Sequence, residues 1–192
     1  FCRVRLAVRS IIIALITYKR KAVYVMHEVI SLLINRHDFF LQLLWEHIEI
    51  SLSASIIAII IGGLLGVLIH EYKRLSGPVM LIVNFLYTIP SISMLGLLLY
   101  VSGVGNTTAI IALVIYALLP MVRNTFTGLD QIKSDMREAG IALGLTRLQR
   151  LWNIEIPLAM PTIMAGIRTM LVMTIALTGI ASFIGAGGLG VA

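Results

Sequence analysis

The sequence predicts an all-α fold, a polytopic bundle of membrane-spanning helices, and three observations carry that prediction. The 192-residue chain is 59% hydrophobic and 12% charged, with a mean hydropathy of +0.99, whereas soluble domains carry roughly 25% charged residues. Its charge deficit is concentrated in long uncharged blocks rather than spread evenly. Those blocks reach the ~20 apolar residues that a helix needs to cross a hydrocarbon core about 30 Å thick.

Residues 50–69, 79–102 and 106–122 contain no charged residue, and 158–180 contains only Arg168. The first block holds Ser53, Ala54, Ser55, Gly62, Gly63 and Gly66, small residues that let helices approach closely in lipid. The second carries Ile89-Pro90 near its middle and the third Pro120 near its end. Proline removes a donor and clashes with the preceding turn, so a kink or a helix end is expected at each. Such breaks are tolerated where neighbouring helices or water satisfy the freed backbone.

Residues 1–44 fit this scheme poorly and form an atypical N-terminal extension to a membrane domain at 45–192. The stretches 10–18 and 22–34 are apolar but short, with Lys19, Arg20 and Lys21 between them. An extra crossing, an interfacial segment and a stretch foreign to the natural product all remain open. No secretory signal is evident. The chain stops just after a glycine-rich turn, and the expectation is that a returning last span is missing. Cys2, the single cysteine, excludes an intrachain disulfide or a cysteine metal cluster.

The net charge of +6 would raise nucleic acid as a partner for a soluble protein. In a membrane protein, Lys and Arg instead collect in cytoplasmic loops. Lys73 and Arg74 lie in 70–78, and Arg123, Lys133, Arg137, Arg147 and Arg150 in 123–157; the turns at 103–105 and 181–192 have none. Both basic connections are therefore predicted to be cytoplasmic, in a multi-pass plasma-membrane protein that binds no nucleic acid.

The connection 123–157 is the only long polar segment between spans. Ser134 is placed to cap a helix beginning Asp135-Met136-Arg137-Glu138, with the acidic residues at its positive end. Gly144 ends it. Thr146 and Gln149 read as a capping box opening a second short helix, in which Leu148, Leu151 and Trp152 share a face as far as Pro157. Glu138-Ala139-Gly140, three residues, Gly144, nine residues, then Ile154-Glu155-Ile156-Pro157 resembles the EAA motif of bacterial ABC importer permeases, with Gly140 for an alanine and Ile156 for a leucine.

The segments Arg123–Leu129, Met164–Thr169 and Ala181–Gly190 are similar to permeases of the osmoprotectant branch, so the resemblance covers residues 45–190. It implies a MetI-like type I ABC importer transmembrane domain whose EAA loop docks on an ATP-binding subunit. Glu138, Ala139, Gly140, Gly144 and Pro157 are then the ATPase-coupling residues, the charge setting the docking angle and the small residues allowing close approach. Further partners implied are a second permease copy, in a homo- or heterodimer, an extracytoplasmic substrate-binding protein on which selectivity largely rests, and membrane lipid. No cofactor or metal is implied, and His27, His37, His47 and His70 show no ligand spacing.

Arg168 lies about ten residues inside its span, where a charge marks function by default; anchoring by snorkelling and a direct transport role both stand. Tyr87, Tyr100 and Tyr116 with Phe85 could line a pathway for a quaternary ammonium ion or simply pack. Gly185–Gly190 matches G-x-G-x-x-G, but no strand precedes it and no acidic residue follows, so a dinucleotide site is rejected. An outer turn on which a binding protein docks and plain re-entrant packing are balanced readings of it. The sequence contains no G-x-x-x-x-G-K-[ST], which assigns ATP hydrolysis to a separate subunit. Importers of amino acids or other small solutes remain alternatives. An ion-coupled secondary carrier is the rival class, disfavoured because the four spans hold no carboxylate or histidine.

Overall fold

The computed structural model describes residues 26, 28, 31, 32 and 34–192. Cys2, His27 and most of the apolar stretches 10–18 and 22–34 lie outside the described residues. The chain divides into two units, Phe1–Gln42 and Leu43–Ala192, and the second holds the membrane bundle. Among the described residues the secondary structure is helical, with no strand.

The helices are α1 (His37–Glu71), α2 (Lys73–Thr88), α3 (Ser91–Ser102), α4 (Asn106–Asp130), α5 (Ser134–Ala142), α6 (Arg147–Arg150) and α7 (Ile156–Ala181). A π-turn at Leu151–Glu155 joins α6 to α7, and short 3₁₀ turns occupy Ser182–Ile184 and Leu189–Val191. Three helical runs are long and apolar enough to cross a membrane, namely α1, α4 and the run Arg147–Ile184; α2 and α3 pass the same test only as a pair, bent by 99° at Ile89-Pro90. Three of the four expected spans are therefore single helical runs, and the block 79–102 is a helix pair bent at its proline. The first is longer than its uncharged block: α1 has 35 residues, about 52 Å at 1.5 Å per residue.

Side-chain size decides which face of α1 packs. Ser51, Ala54, Ser55, Ala58, Gly62 and Gly66 form a buried stripe at helical spacing, while Leu52, Ile56, Ile60, Leu64 and Leu68 are exposed. Small residues inward and large ones outward is the arrangement that lipid favours, because bulky apolar side chains lose nothing by facing hydrocarbon. A Cβ at Gly66 would stand 2.5 Å from Thr125 Cβ, and one at Gly62 2.8 Å from Met121 Cβ. On the other side of α4, a Cβ at Gly166 of α7 would lie 2.6 Å from Asn124 Cβ. Glycines thus clasp α4 between α1 and α7, and α4 packs extensively along α7.

The two prolines behave differently. At Pro90 the helix breaks as expected: Ile89 is extended, as a residue before proline prefers, and the Tyr116 hydroxyl donates to its carbonyl. That bond covers a group the break would otherwise orphan. At Pro120 the expected kink or end does not become a terminus, because α4 continues to Asp130. Close packing on two sides holds the helix despite one missing donor, and Asn124 Nδ2 donates to the Pro120 carbonyl at 2.7 Å. The connection expected at 123–157 begins only after Asp130.

At the other end of the bundle the glycine run is clasped by side chains. Backbone N–H groups of Gly187, Gly188 and Leu189 donate to Asn106 Oδ1 (3.0 Å), Glu46 Oε2 (3.2 Å) and His47 Nδ1 (3.3 Å). Gly185 and Gly188 take positive φ of 73° and 98°, where a side chain would be strained.

Candidate coupling loop and membrane groove

The loop forms as a hairpin of two helical arms. Lys133 occupies the N-cap of α5 without a side-chain cap, so the Ser134 cap expected from sequence is not made. Ser134 already lies within the helix, and its hydroxyl turns to Asp135 Oδ1 at 3.3 Å. The C-terminus of α5 closes with Leu145 N–H on the Gly140 carbonyl (3.1 Å) and Gly144 N–H on that of Ile141 (2.9 Å), the paired bonds of a Schellman motif. Gly144 has φ of 74°, and a Cβ there would meet nothing within 4 Å. Its glycine is required by backbone conformation rather than by close contact within this chain.

Gly140 is the opposite case. It is buried, and a Cβ would come within 3.0 Å of Ile154 Cδ1 and 3.2 Å of Arg150 Cγ, so its smallness lets the two arms close. Glu138 and Ala139 are exposed on the same helix, beside Ile141 and Leu143 at 59% and 77% exposure. The Thr146–Gln149 capping box is formed in both directions. The second arm does not stop at Pro157, however. The π-turn lets Ile156 N–H reach the Leu151 carbonyl, and Pro157 follows directly as the second residue of α7. Helix therefore runs unbroken from Arg147 to Ile184.

A buried carboxylate that sequence reading passed over ties the hairpin together. Glu155 is 1% exposed and meets Arg150 Nε at 2.7 Å, His70 Nε2 at 3.3 Å and Arg137 Nε at 3.9 Å. These partners come from both arms and from the end of α1. Arg137 also donates to the Leu129 carbonyl at 2.6 Å. Around this centre, Arg147 pairs with Glu71 and Lys73 with Asp130, and Lys73 sits 5.2 Å over the Phe126 ring. An acidic residue between Ile154 and Ile156, at the edge of an apolar run, was the available signal. Donor atoms of His70, Glu71 and Glu155 lie within 4.8 Å of one another, close enough for a metal ion, but arginines already engage both carboxylates.

The expected pathway residues fall on three helices: Tyr87 on α2, Tyr116 on α4 and Arg168 on α7. Tyr87, Arg168, Thr169, Val172, Met173 and Ala176 line an open groove of about 530 Å³. Arg168 is exposed to it and makes no hydrogen bond or ion pair among the described residues. The Tyr87 hydroxyl contacts Met173 Sδ at 3.5 Å, and its ring meets Tyr116 edge-on at 6.0 Å. Tyr116 itself is 6% exposed, its hydroxyl committed to Ile89. Phe85 and Tyr100 are exposed without a ring contact, so the aromatic set does not assemble as one cluster.

The family described as "Binding-protein-dependent transport system inner membrane component" matches residues 55–192. Over 152 residues the chain is 45% identical to the glycine betaine/carnitine/choline transport system permease protein OpuCD of Bacillus subtilis (strain 168), covering 79% of this chain and 66% of that one. It is 43% identical over 168 residues to the osmoprotectant import permease protein OsmW of Salmonella typhimurium, covering 85% and 78%. The fold is similar to a chain of the MetNI methionine ABC transporter, solved in inward-facing conformations, with a TM-score of 0.72 at 24% identity over 79% of this chain and 76% of that one. The chain spans just under two thirds of the first of these relatives.

Proposed function

The chain belongs to the binding-protein-dependent inner-membrane components of ABC importers, and from that premise we propose that it is the translocation subunit of an ATP-driven importer of osmoprotectants such as glycine betaine, choline or carnitine. Members of this family are transport permeases rather than enzymes, and the relatives at 39–45% identity are named for osmoprotectant, choline or carnitine transport. Those names favour osmoprotectants over amino acids as the cargo.

One observation carries the mechanism: the exposed Glu138–Ala139 face rides on a hairpin whose second arm is continuous with α7. An ATP-binding subunit docking there through Glu138, Ala139 and the apolar Ile141 and Leu143 would move a rigid lever. Gly144 sets the turn, Gly140 and Glu155 lock the arms, and the π-turn before Pro157 passes rotation to the spans as a rigid-body motion. A second permease copy would complete the pathway, with Tyr87 and Arg168 lining it and Tyr116 bracing the break from behind. An external binding protein would deliver the solute, and lipid covers the large apolar side chains of α1.

Copurification with the ATPase subunit tests the reading. Glu138→Lys, which reverses the docking charge, and Gly144→Trp, which strains the turn, are expected to weaken association at least tenfold. Association unchanged in both would overturn the coupling assignment.

A further inference from the structure

The unpaired guanidinium of Arg168 points to the class of solute the groove accepts. Arg168 is the thirteenth of the 26 residues of α7, so at 1.5 Å per residue it stands about 18 Å from either end. That places it near the middle of the apolar block 158–180, away from the span ends where long basic side chains most easily snorkel. Its countercharge does not come from this chain at that depth either. All nine acidic residues lie at or before Glu49, at Glu71, or between Asp130 and Glu155, and Glu71, Asp130 and Glu155 are paired near the basic end. A second identical copy would add another Arg168 and no acid. A charge left so in a membrane marks a functional site, and a carboxylate carried by the cargo would supply the missing anion.

The rest of the groove supplies the complementary half. Tyr87 is 39% exposed and shares the groove with Arg168; its ring is held edge-on to Tyr116 and its hydroxyl lies on Met173. An aromatic face so fixed attracts a quaternary ammonium group, while a guanidinium takes a carboxylate in a charge-assisted, often bidentate bond. We propose that Arg168 and Tyr87 form a transport subsite for a zwitterion, a quaternary ammonium compound that carries a carboxylate, and that a bare cation such as choline is taken less well there. This subsite rests on the transport reading and adds a selectivity within the membrane to that of any binding protein.

The test uses the assembled permease–ATPase complex in nanodiscs without binding protein, with melting temperature read in millimolar glycine betaine, choline or acetate. Glycine betaine is expected to raise the melting temperature and choline to leave it unchanged. Arg168→Gln removes the betaine effect, Arg168→Lys keeps part of it, and Tyr87→Leu reduces it. A choline shift equal to that of betaine, a betaine shift that survives in Arg168→Gln, or no betaine shift at all overturns the subsite. Uptake into proteoliposomes with the binding protein separates the two levels. In Arg168→Gln, glycine betaine uptake is expected to fall about tenfold or more, the loss of one charge-assisted bond, with choline uptake far less affected. Equal loss of both makes Arg168 structural. If the unaltered complex accumulates neither compound with ATP, the osmoprotectant reading itself fails.

Discussion

Replacing Glu155 by alanine should loosen the loop while leaving the membrane helices assembled. The carboxylate is 1% exposed and is shared by Arg150 at 2.7 Å, His70 at 3.3 Å and Arg137 at 3.9 Å. Removing one partner of a buried ion pair costs about 3–5 kcal/mol, because the other charge stays buried without compensation. Here the Arg150 and Arg137 side chains are 18% and 28% exposed, so both can turn partly to water and about 2–3 kcal/mol of the penalty survives. That corresponds to local opening about 30–150 times more frequent. Hydrogen exchange of the membrane-embedded protein reads it directly. Amides from Gly140 to Glu155 should exchange faster by that factor, while those around Ala112 and Leu113 in the core of α4 keep their protection. Glu155→Gln, which preserves shape and a hydrogen-bonding oxygen, should show a smaller effect. Exchange within about twofold of the unaltered protein in Glu155→Ala would refute the claim that this residue locks the hairpin.

Other substitutions probe the remaining joints. Gly66→Val, whose Cβ must displace Thr125 from 2.5 Å, should destabilise by at least the ~1–3 kcal/mol of overpacking, read as a lower melting temperature in detergent; Gly77→Val, with nothing within 4 Å, serves as control. Gly144→Ala should cost about 1–2 kcal/mol because a Cβ is strained at positive φ, and Gly144→Asn should cost less, both followed by exchange of the Leu145 amide. Tyr116→Phe leaves the Ile89 carbonyl unpaired, a loss of about 1–3 kcal/mol in lipid-embedded stability. Thr146→Ala removes the formed capping box and should cost about 1 kcal/mol, seen as faster exchange confined to Arg147–Arg150.

The membrane elements were legible because lipid imposes a length and a polarity that composition alone reveals: the uncharged blocks and the small-residue stripe of α1 needed no knowledge of partners. The loop was legible through local rules, since Gly144 at the end of α5 and the Thr146–Gln149 box depend on residues a few positions apart. Proline marked no helix end where tertiary packing overrode local cost. Pro120 is held inside α4 by neighbours on two sides, and Pro157 is absorbed by a π-turn that no pattern announces. The Ser134 cap failed because Lys133 takes the extended cap position. Glu155 stayed hidden because one of its partners, His70, is 85 residues away; only its place between two isoleucines hinted at a role. Arg168 was visible as a charge deep in a span, but its lack of any countercharge required the whole helix arrangement.

Coupling requires the Glu138–Ala139 face to lie inside the cell against a nucleotide-hydrolysing subunit. The most direct measurement places a single cysteine at Ala139→Cys in a Cys2→Ser background and labels membrane vesicles of each orientation with an impermeant maleimide. Labelling should occur only in inside-out vesicles and should fall when the ATPase subunit is bound. Labelling from the outer side, or labelling unaffected by a saturating ATPase subunit, would contradict it.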